Sequence, residues 1–364
     1  MLYIRKTSSE DTLYYDLNGR IDSVTAVQFE NEIGDIPPGT KEIVFDCARL
    51  DFISSSGLRV LLMLKKKVGN GCKLTAVKVN HSVQNVFKLT GFGDIITVSN
   101  ELPEDDLDIQ AAFFDVDGTL YSHSTSQVPE STRAALAVLH QKGIKLVICT
   151  GRSLEELSKL PVMDMPWDGY LTLNGNLCLD ENKNMFAGNP IDSGEVDILV
   201  RIFQASRIPF VLIGEENRYI NYVDDVVIDT QASTKGTIPD IGKYKGEDIY
   251  QCLAFVADKD RIMLEDMLDE CTITSWNKTG IDIISKSGGK AAGIEMFIDE
   301  YHLRRGQTIA FGDGQNDIDM IRYAGIGVAM GNGVEALKSA ADYVTTDIDD
   351  NGISNALKHL GLIP

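Results

Sequence analysis

Along the chain, short apolar runs alternate with stretches of helical spacing. Residues 13–17 (Leu-Tyr-Tyr-Asp-Leu) read as a strand, and residues 26–33 read as a helix that Pro37, Pro38 and Gly39 break. Residues 42–47 (Glu-Ile-Val-Phe-Asp-Cys) make a strong strand. Apolar positions 58, 61, 62 and 64 then keep helical spacing, and Lys65, Lys66 and Lys67 put positive charge at the end of that helix, where its dipole favours it. Residues 73–79 form another strand, and residues 81–89 another helix, closed by Gly91. This alternation predicts a small α/β domain of about 100 residues.

An acidic, Pro-containing stretch over 101–108 follows and reads as a linker. The pattern then resumes. Residues 111–114 (Ala-Ala-Phe-Phe) are a short buried strand, residues 134–139 lie in a helix that stops at Gly143, and residues 145–149 are a second buried strand. Strand, helix, strand is the crossover unit of a parallel sheet. Ser153 and Glu156 have capping-box spacing, so a helix begins there. Near the C-terminus, residues 308–312 form a third buried strand, followed by a helix containing Ile318 and Ile321.

Chemistry gathers where these strands end, which is where parallel sheets bind ligands. Asp115 and Asp117 follow the first strand. Strand spacing directs residues i and i+2 to one face, and Gly118 then turns the chain away. Two carboxylates so close need a cation or a shared proton, and hard oxygen ligands suit Mg²⁺. The plainer reading of the motif alone, an acidic turn, is the lesser one. Thr150, Gly151 and Arg152 end the second strand, offering a hydroxyl and turn amides. Asp313, Asn316 and Asp317 end the third, where ordinary helix caps are also found. Lys290 follows Gly288 and Gly289 in the first turn of a helix over 291–301. A cation there opposes the dipole unless acids or a phosphate face it.

Composition narrows the picture. The 364 residues suit two or three domains, and the net charge of −20 argues against nucleic acid or anionic membrane as partners. No apolar run is long enough for a membrane span, and the N-terminus has no signal-peptide pattern, so a cytoplasmic location is expected. Six scattered cysteines, Cys47, Cys149 and Cys252 among them, read as reduced and buried thiols. With so acidic a surface, an anionic substrate needs a local cation.

Two resemblances organise these motifs. The stretch Phe45-Asp46-Cys47-Ala48-Arg49-Leu50-Asp51-Phe52-Ile53-Ser54-Ser55-Ser56-Gly57-Leu58 resembles the STAS domain of anti-sigma factor antagonists. The resemblance implies a protein-binding module without catalysis of its own, with Ser56 as the position that family phosphorylates. The best-known members carry Asp where this chain has Ser54. Physics offers a plainer role for a serine here, capping the helix.

Asp115-x-Asp117-Gly118-Thr119, Thr150-Gly151-Arg152, Lys290 and Gly312-Asp313-Gly314-x-Asn316-Asp317 together resemble the four motifs of the haloacid dehalogenase superfamily. Leu173-Asn174-Gly175-Asn176 and Gly327-Val328-Ala329-Met330-Gly331-Asn332-Gly333 resemble its Cof-type branch (IIB, C2 cap). The implied fold is α/β: a Rossmann-like parallel sheet core with an inserted α+β cap, preceded by the small α/β STAS-like domain. The expected layout is residues 1–103 STAS-like, 104–108 linker, 109–183 and 281–364 core, and 184–280 cap. Cap strands are expected over 209–213 and 251–256, and helices over 196–205 and 261–269. Tyr219, Tyr222, Trp276 and Asn277 are candidates for substrate contact.

The resemblance further implies an Mg²⁺-dependent phosphatase acting on small phosphate monoesters such as sugar phosphates. Asp115 would be the nucleophile and Asp117 the acid and base. Mg²⁺ would be held by Asp115, the backbone carbonyl of Asp117 and Asp313, with Asp317 supporting. Thr150, Gly151, Lys290 and Asn316 would bind the phosphoryl group. The expected partners are a small phosphorylated metabolite and, through residues 1–103, another protein. The alternative is a signalling scaffold switched by serine phosphorylation, with the phosphatase half as sensor.

Overall fold

A computed structural model describes residues 2–9, 11–69, 71–99, 108–234, 236–256, 258–275 and 278–364. The predicted linker lies almost wholly outside them, as do Trp276 and Asn277. The chain divides into two compact units between Leu107 and Asp108.

The first unit is a five-stranded sheet in sequential order: Leu2–Ser9, Thr12–Ile21, Glu42–Ile53, Lys73–Val77 and Thr97–Ser99. Only the first pair is antiparallel. Helices Thr25–Ile33, Ser55–Val68 and His81–Leu89 connect the strands. Phe45 centres the core, with its ring centroid 5.5 Å from Tyr15 and 6.0 Å from Phe29. Two features differ from the sequence reading. The strand Leu2–Ser9 was not expected, because Arg5 and Lys6 interrupt its apolar alternation and it lies at the sheet edge. The strand at Glu42 continues to Ile53, because its partner runs on to Ile21 and pairing resumes past Cys47 after two register shifts.

Ser54 caps the next helix, its Oγ accepting from the Gly57 amide at 3.4 Å. Gly57 sits where that helix crosses the strand ends. A Cβ there would lie 2.5 Å from Ile21 Cγ2 and 2.8 Å from Ile53 Cγ1.

The second unit contains two sheets. The larger runs in the order Met185–Gly188, Leu177–Asp180, Gly169–Thr172, Lys145–Cys149, Ala111–Phe114, Thr308–Gly312, Ile326–Ala329 and Tyr343–Val344. Its last six strands in that order are parallel, as the strand–helix–strand pattern predicts. Ala111–Phe114 lies near the middle and is buried on both faces, hence its unbroken apolar run. Phe113 meets Phe297 of the helix Lys290–Glu300 edge-on at 5.4 Å. Phe114, on the opposite face, stacks on Phe311 at 5.0 Å.

The smaller sheet is antiparallel, in the order Arg218–Ile220, Phe210–Ile213, Gln251–Phe255, Gly280–Ser285 and Cys271–Ser275. Helices Ser193–Ala205 and Asp258–Met267 share one apolar cluster with Phe210, Leu212, Cys252, Ala254, Ile281 and Ile283. Alternation turns Val211, Gln251, Leu253, Asp282 and Ile284 to the other face. All six cysteines are free, and Cys47, Cys149 and Cys252 are buried. Among the described residues no helix is long and apolar enough to cross a membrane.

Because overpacking at Gly57 forces rigid neighbours apart, Gly57→Ala is expected to destabilise the first unit by about 1–3 kcal/mol. Both tryptophans, Trp167 and Trp276, lie in the second unit's sequence. Denaturant unfolding should therefore show an earlier transition by circular dichroism with an unchanged tryptophan-fluorescence midpoint. A shared shift in both signals would refute the local account.

Candidate active site

The candidate site residues assemble at the carboxyl ends of the strands Ala111–Phe114 and Thr308–Gly312. Asp115 continues the alternation of Phe113 and so faces the helix that begins with Lys290. Its amide bonds Phe311 O at 2.9 Å, extending the ladder by one residue. Lys290 Nζ donates to Asp115 Oδ1 at 2.6 Å and to Asp317 Oδ1 at 2.5 Å. The lysine and Asp317 side chains are each 1% exposed and that of Asp115 9%, so this is an ion triad inside the protein.

Asp317 Oδ2 also accepts from the amides of Asp313 and Gly314, at 2.9 and 2.8 Å. These bonds close the turn before the helix Ile318–Tyr323, which itself has no side-chain cap, so the expected capping role is not the one this carboxylate plays; it ties the turn and serves the triad. Asp313 is held by Thr119 Oγ1 and by Asn332 Nδ2, each at 3.3 Å. Gly118 has φ +82°, and a Cβ there would strike the Asp313 carboxylate, so the turn requires glycine twice over. One carboxylate oxygen from each of Asp115, Asp313 and Asp317 lies within 4.8 Å of the others.

The electrostatics show a site short of positive charge. Burial, reinforced by the neighbouring charge of Asp317, raises the Asp115 carboxyl well above the usual carboxylate range despite Lys290. Burial and Asp317 likewise push Asp313 up to about 7. Burial alone would lower the Lys290 ammonium, but Asp115 and Asp317 outweigh it and hold the group firmly charged. Three carboxylates against one ammonium leave room for a divalent cation, and an all-oxygen donor set suits a hard one.

Asp117 behaves differently from its neighbour. The strand stops at Phe114, so the expected sharing of one face does not carry through to residue 117. Its carboxylate instead receives Arg152 Nε at 2.6 Å and Nη2 at 2.8 Å, with His123 Nε2 at 3.1 Å. Burial works to raise its pKa, but these hydrogen bonds overcome it and hold the carboxyl well below the usual range. Its side chain lies outside the three-carboxylate cluster. His123 was not found from sequence, since nothing in the Ser-His-Ser-Thr-Ser loop marks it.

Thr150 is buried, and its Oγ1 accepts from the Arg152 amide at 3.2 Å. Gly151 packs against the Asn174 side chain. Asn316 Nδ2 donates to Asn174 Oδ1 at 3.0 Å. The predicted capping box at Ser153 and Glu156 is present, and Glu156 also meets Arg218 of the smaller sheet at 3.0 Å. Beside it opens a cleft of about 560 Å³, lined by Ser153, Leu173, Lys183, Arg218, Tyr219 and Lys245 among others. Asp115, Asp117, Asp313 and Asp317 do not line it, and of the predicted contact residues Tyr219 does while Tyr222 does not.

A domain with these motifs at parallel strand ends, bearing an inserted antiparallel sheet, is a hydrolase core of known type. Residues 112–357 match the family of haloacid dehalogenase-like hydrolases, and residues 3–104 match the STAS domain. The Bacillus subtilis (strain 168) protein named "Putative phosphatase YkrA" is 34% identical over 260 residues, covering 71% of this chain and 100% of that protein. The 5-amino-6-(5-phospho-D-ribitylamino)uracil phosphatase YitU of the same organism is 29% identical over 259 residues, covering 67% and 94%. Among solved structures, the phosphatase BT1666 from Bacteroides thetaiotaomicron is 30% identical with a TM-score of 0.66, covering 73% of this chain and 100% of that one. The subclass IIB sugar phosphatase BT4131 is 33% identical with a TM-score of 0.63, covering 70% and 100%. The chain belongs to the haloacid dehalogenase-like hydrolases and is a phosphatase of that family carrying an N-terminal STAS domain.

Lys290→Met leaves the buried Asp115 and Asp317 without their cation. We expect a loss of about 3–5 kcal/mol in the second unit's stability, partly restored by added Mg²⁺. Tryptophan-monitored unfolding measures both effects, and an unchanged midpoint would contradict the ion triad.

Proposed function

We propose that the protein is an Mg²⁺-dependent phosphatase of small phosphate monoesters that works through an aspartyl-phosphate on Asp115. The observation that supports this most is the meeting of Asp115, Asp313 and Asp317 around Lys290. Asp115, Asp313, Asp317 and the backbone carbonyl of Asp117 would hold the cation, which would supply neutralising charge to the site.

An Asp115 carboxylate oxygen attacks phosphorus as the bond to the leaving oxygen breaks, and Asp117 gives that oxygen a proton. Water then gives a proton to the Asp117 carboxylate and attacks phosphorus, releasing phosphate and restoring Asp115. Lys290, Thr150, the Gly151 amide and Asn316 bind the phosphoryl oxygens through both halves. The Arg152 and His123 contacts favour the charged, basic form of Asp117, which suits the second half. For the first half, Asp117 must exchange part of that pairing for a proton.

The inserted sheet serves as the cap; the expected bounds of 184–280 shift at both ends, because Met185–Gly188 pairs in the larger sheet and Gly280–Ser285 in the smaller. Its cleft beside Arg218 and Tyr219 combines apolar and hydrogen-bonding groups and is of metabolite size. The names of YitU and BT4131 point to esters whose leaving group carries several hydroxyls, and we adopt that class. The STAS domain binds a protein partner, with the phosphorylation state of Ser56 as the control. Ser56 lies in the first turn of the helix Ser55–Val68, where the free amides favour a phosphate.

Phosphate release from an aryl phosphate should require Mg²⁺ and fall about a thousandfold or more in Asp115→Asn. Undiminished turnover in chelator or in that variant would rule the mechanism out. Across a panel of phosphorylated metabolites, polyol and sugar phosphates should show the highest kcat/KM. For the N-terminal domain, Ser56→Asp should change the set of proteins retained in a pull-down, and identical sets would remove the switch.

A further inference from the structure

The face of the smaller sheet turned away from its helices carries two buried polar side chains among Val211, Leu253 and Ile284. Gln251 is 2% exposed and Asp282 is 8% exposed. Asp282 pairs in register with Leu253, which places Gln251 on the diagonal of the same face. Burying a carboxylate and an amide in an apolar layer is costly unless their partners are well placed.

Both groups reach the same residue, Asn174, in the turn between the strands Gly169–Thr172 and Leu177–Asp180 of the larger sheet. Asn174 Nδ2 donates to Asp282 Oδ2 at 2.9 Å and to Gln251 Oε1 at 3.3 Å. Asn174 Oδ1 accepts from Asn316 Nδ2 at 3.0 Å, and Gln251 Nε2 donates to Gly151 O at 3.5 Å. A continuous polar chain therefore joins the two strand-end loops through side chains of the inserted sheet.

The turn bearing Asn174 is itself forced. Leu173, Asn174 and Gly175 have φ of 52°, 56° and 78°, three consecutive residues in the left-handed region. Side chains disfavour that region, and such strain persists only where the surroundings hold it. Here the Asn174 amide bonds Thr150 O at 2.8 Å, and the Leu173 amide bonds Arg152 O at 3.1 Å. A Cβ on Gly175 would lie 2.7 Å from Gly289 O, beside the start of the Lys290 helix. One turn thus touches the loops carrying Thr150, Lys290 and Asn316.

We propose that Asp282 and Gln251 are positioning residues. They fix Asn174, and through it the Asn316 amide and the Gly151 loop, so that docking of the inserted sheet completes the phosphate-binding cradle. This rests on the phosphatase reading above and assigns the inserted sheet a part in holding the phosphoryl group itself.

The test compares wild type, Asp282→Ala, Asn174→Ala and the double variant in the full chain with Mg²⁺. Inorganic phosphate binding is measured by calorimetry, and kcat and KM on p-nitrophenyl phosphate. Asp282→Ala is expected to weaken phosphate binding about tenfold, the worth of one charge-assisted hydrogen bond. Asp282→Asn, which still offers an acceptor to Asn174, should recover most of the loss. The double variant should be no worse than Asn174→Ala, because the two act in series. Wild-type phosphate affinity in Asp282→Ala, or additive losses in the double variant, would overturn the proposal. If Asp282→Ala does not fold, Gln251→Ala in the same cycle decides between the same outcomes. An active, Mg²⁺-dependent wild type with an additive cycle sinks only this inference, whereas an inactive wild type sinks the phosphatase reading.

Discussion

Like charges confined away from water set the terms for the second unit. Asp115, Asp313 and Asp317 converge with Lys290 as their cation, and the side chains of Asp115, Asp317 and Lys290 are nearly sealed from solvent. In water such a cluster would fly apart or bind protons. Here the backbone leaves it nowhere to go. Asp115 is carried by a central strand whose two faces are filled by Phe113 and Phe114, Asp317 is pinned by two amides, and Gly118 leaves no space for Asp313 to retreat. Core burial thus holds together a local arrangement that is unfavourable by itself, and the same burial raises the carboxyls of Asp115 and Asp313 above the usual range.

Much of this was legible in the sequence because strand ends in a parallel sheet are easy to recognise. An apolar run such as Ala111–Phe114 or Thr308–Gly312 that stops abruptly at an acid locates both the element and the edge where ligands bind. The capping serine before Gly57 and the box at Ser153 were legible for the same reason, since a helix start needs partners for its free amides. What escaped was set by tertiary pairing. The edge strand Leu2–Ser9 has charges at its middle, and its identity comes from its neighbour. The partners of Asp117 escaped as well. Local spacing aligned it with Asp115, but the chain leaves the extended conformation after Phe114, and only the fold brings Arg152 and His123 to it.

The overall charge bears on how a phosphate ester reaches this site. With a net charge of −20, the far field of the chain opposes an anion. Lys290 cannot reverse that field, because it is buried and already matched by two carboxylates. Capture must therefore rest on short-range contacts made after encounter, and added salt should matter less for holding the substrate than for easing its approach. Affinity then depends on how well the donors around the phosphoryl group are preorganised.

Preorganisation gives the polar pair of the inserted sheet its meaning. An apolar residue at position 251 or 282 would pack against Leu253 and Ile284 at less cost than an amide or a carboxylate does. The pair offsets its desolvation only if fixing Asn174 returns something elsewhere, and the hydrogen bonds of Asn174 run to Thr150 and Asn316 in the strand-end loops and to Gln251 and Asp282 of the inserted sheet. A cap that only shielded the site from water could meet the core through apolar contacts alone. Under the proposed roles, a cap that reaches the phosphate donors through hydrogen bonds would make its docking and phosphoryl binding parts of one equilibrium, each favouring the other by the same free energy.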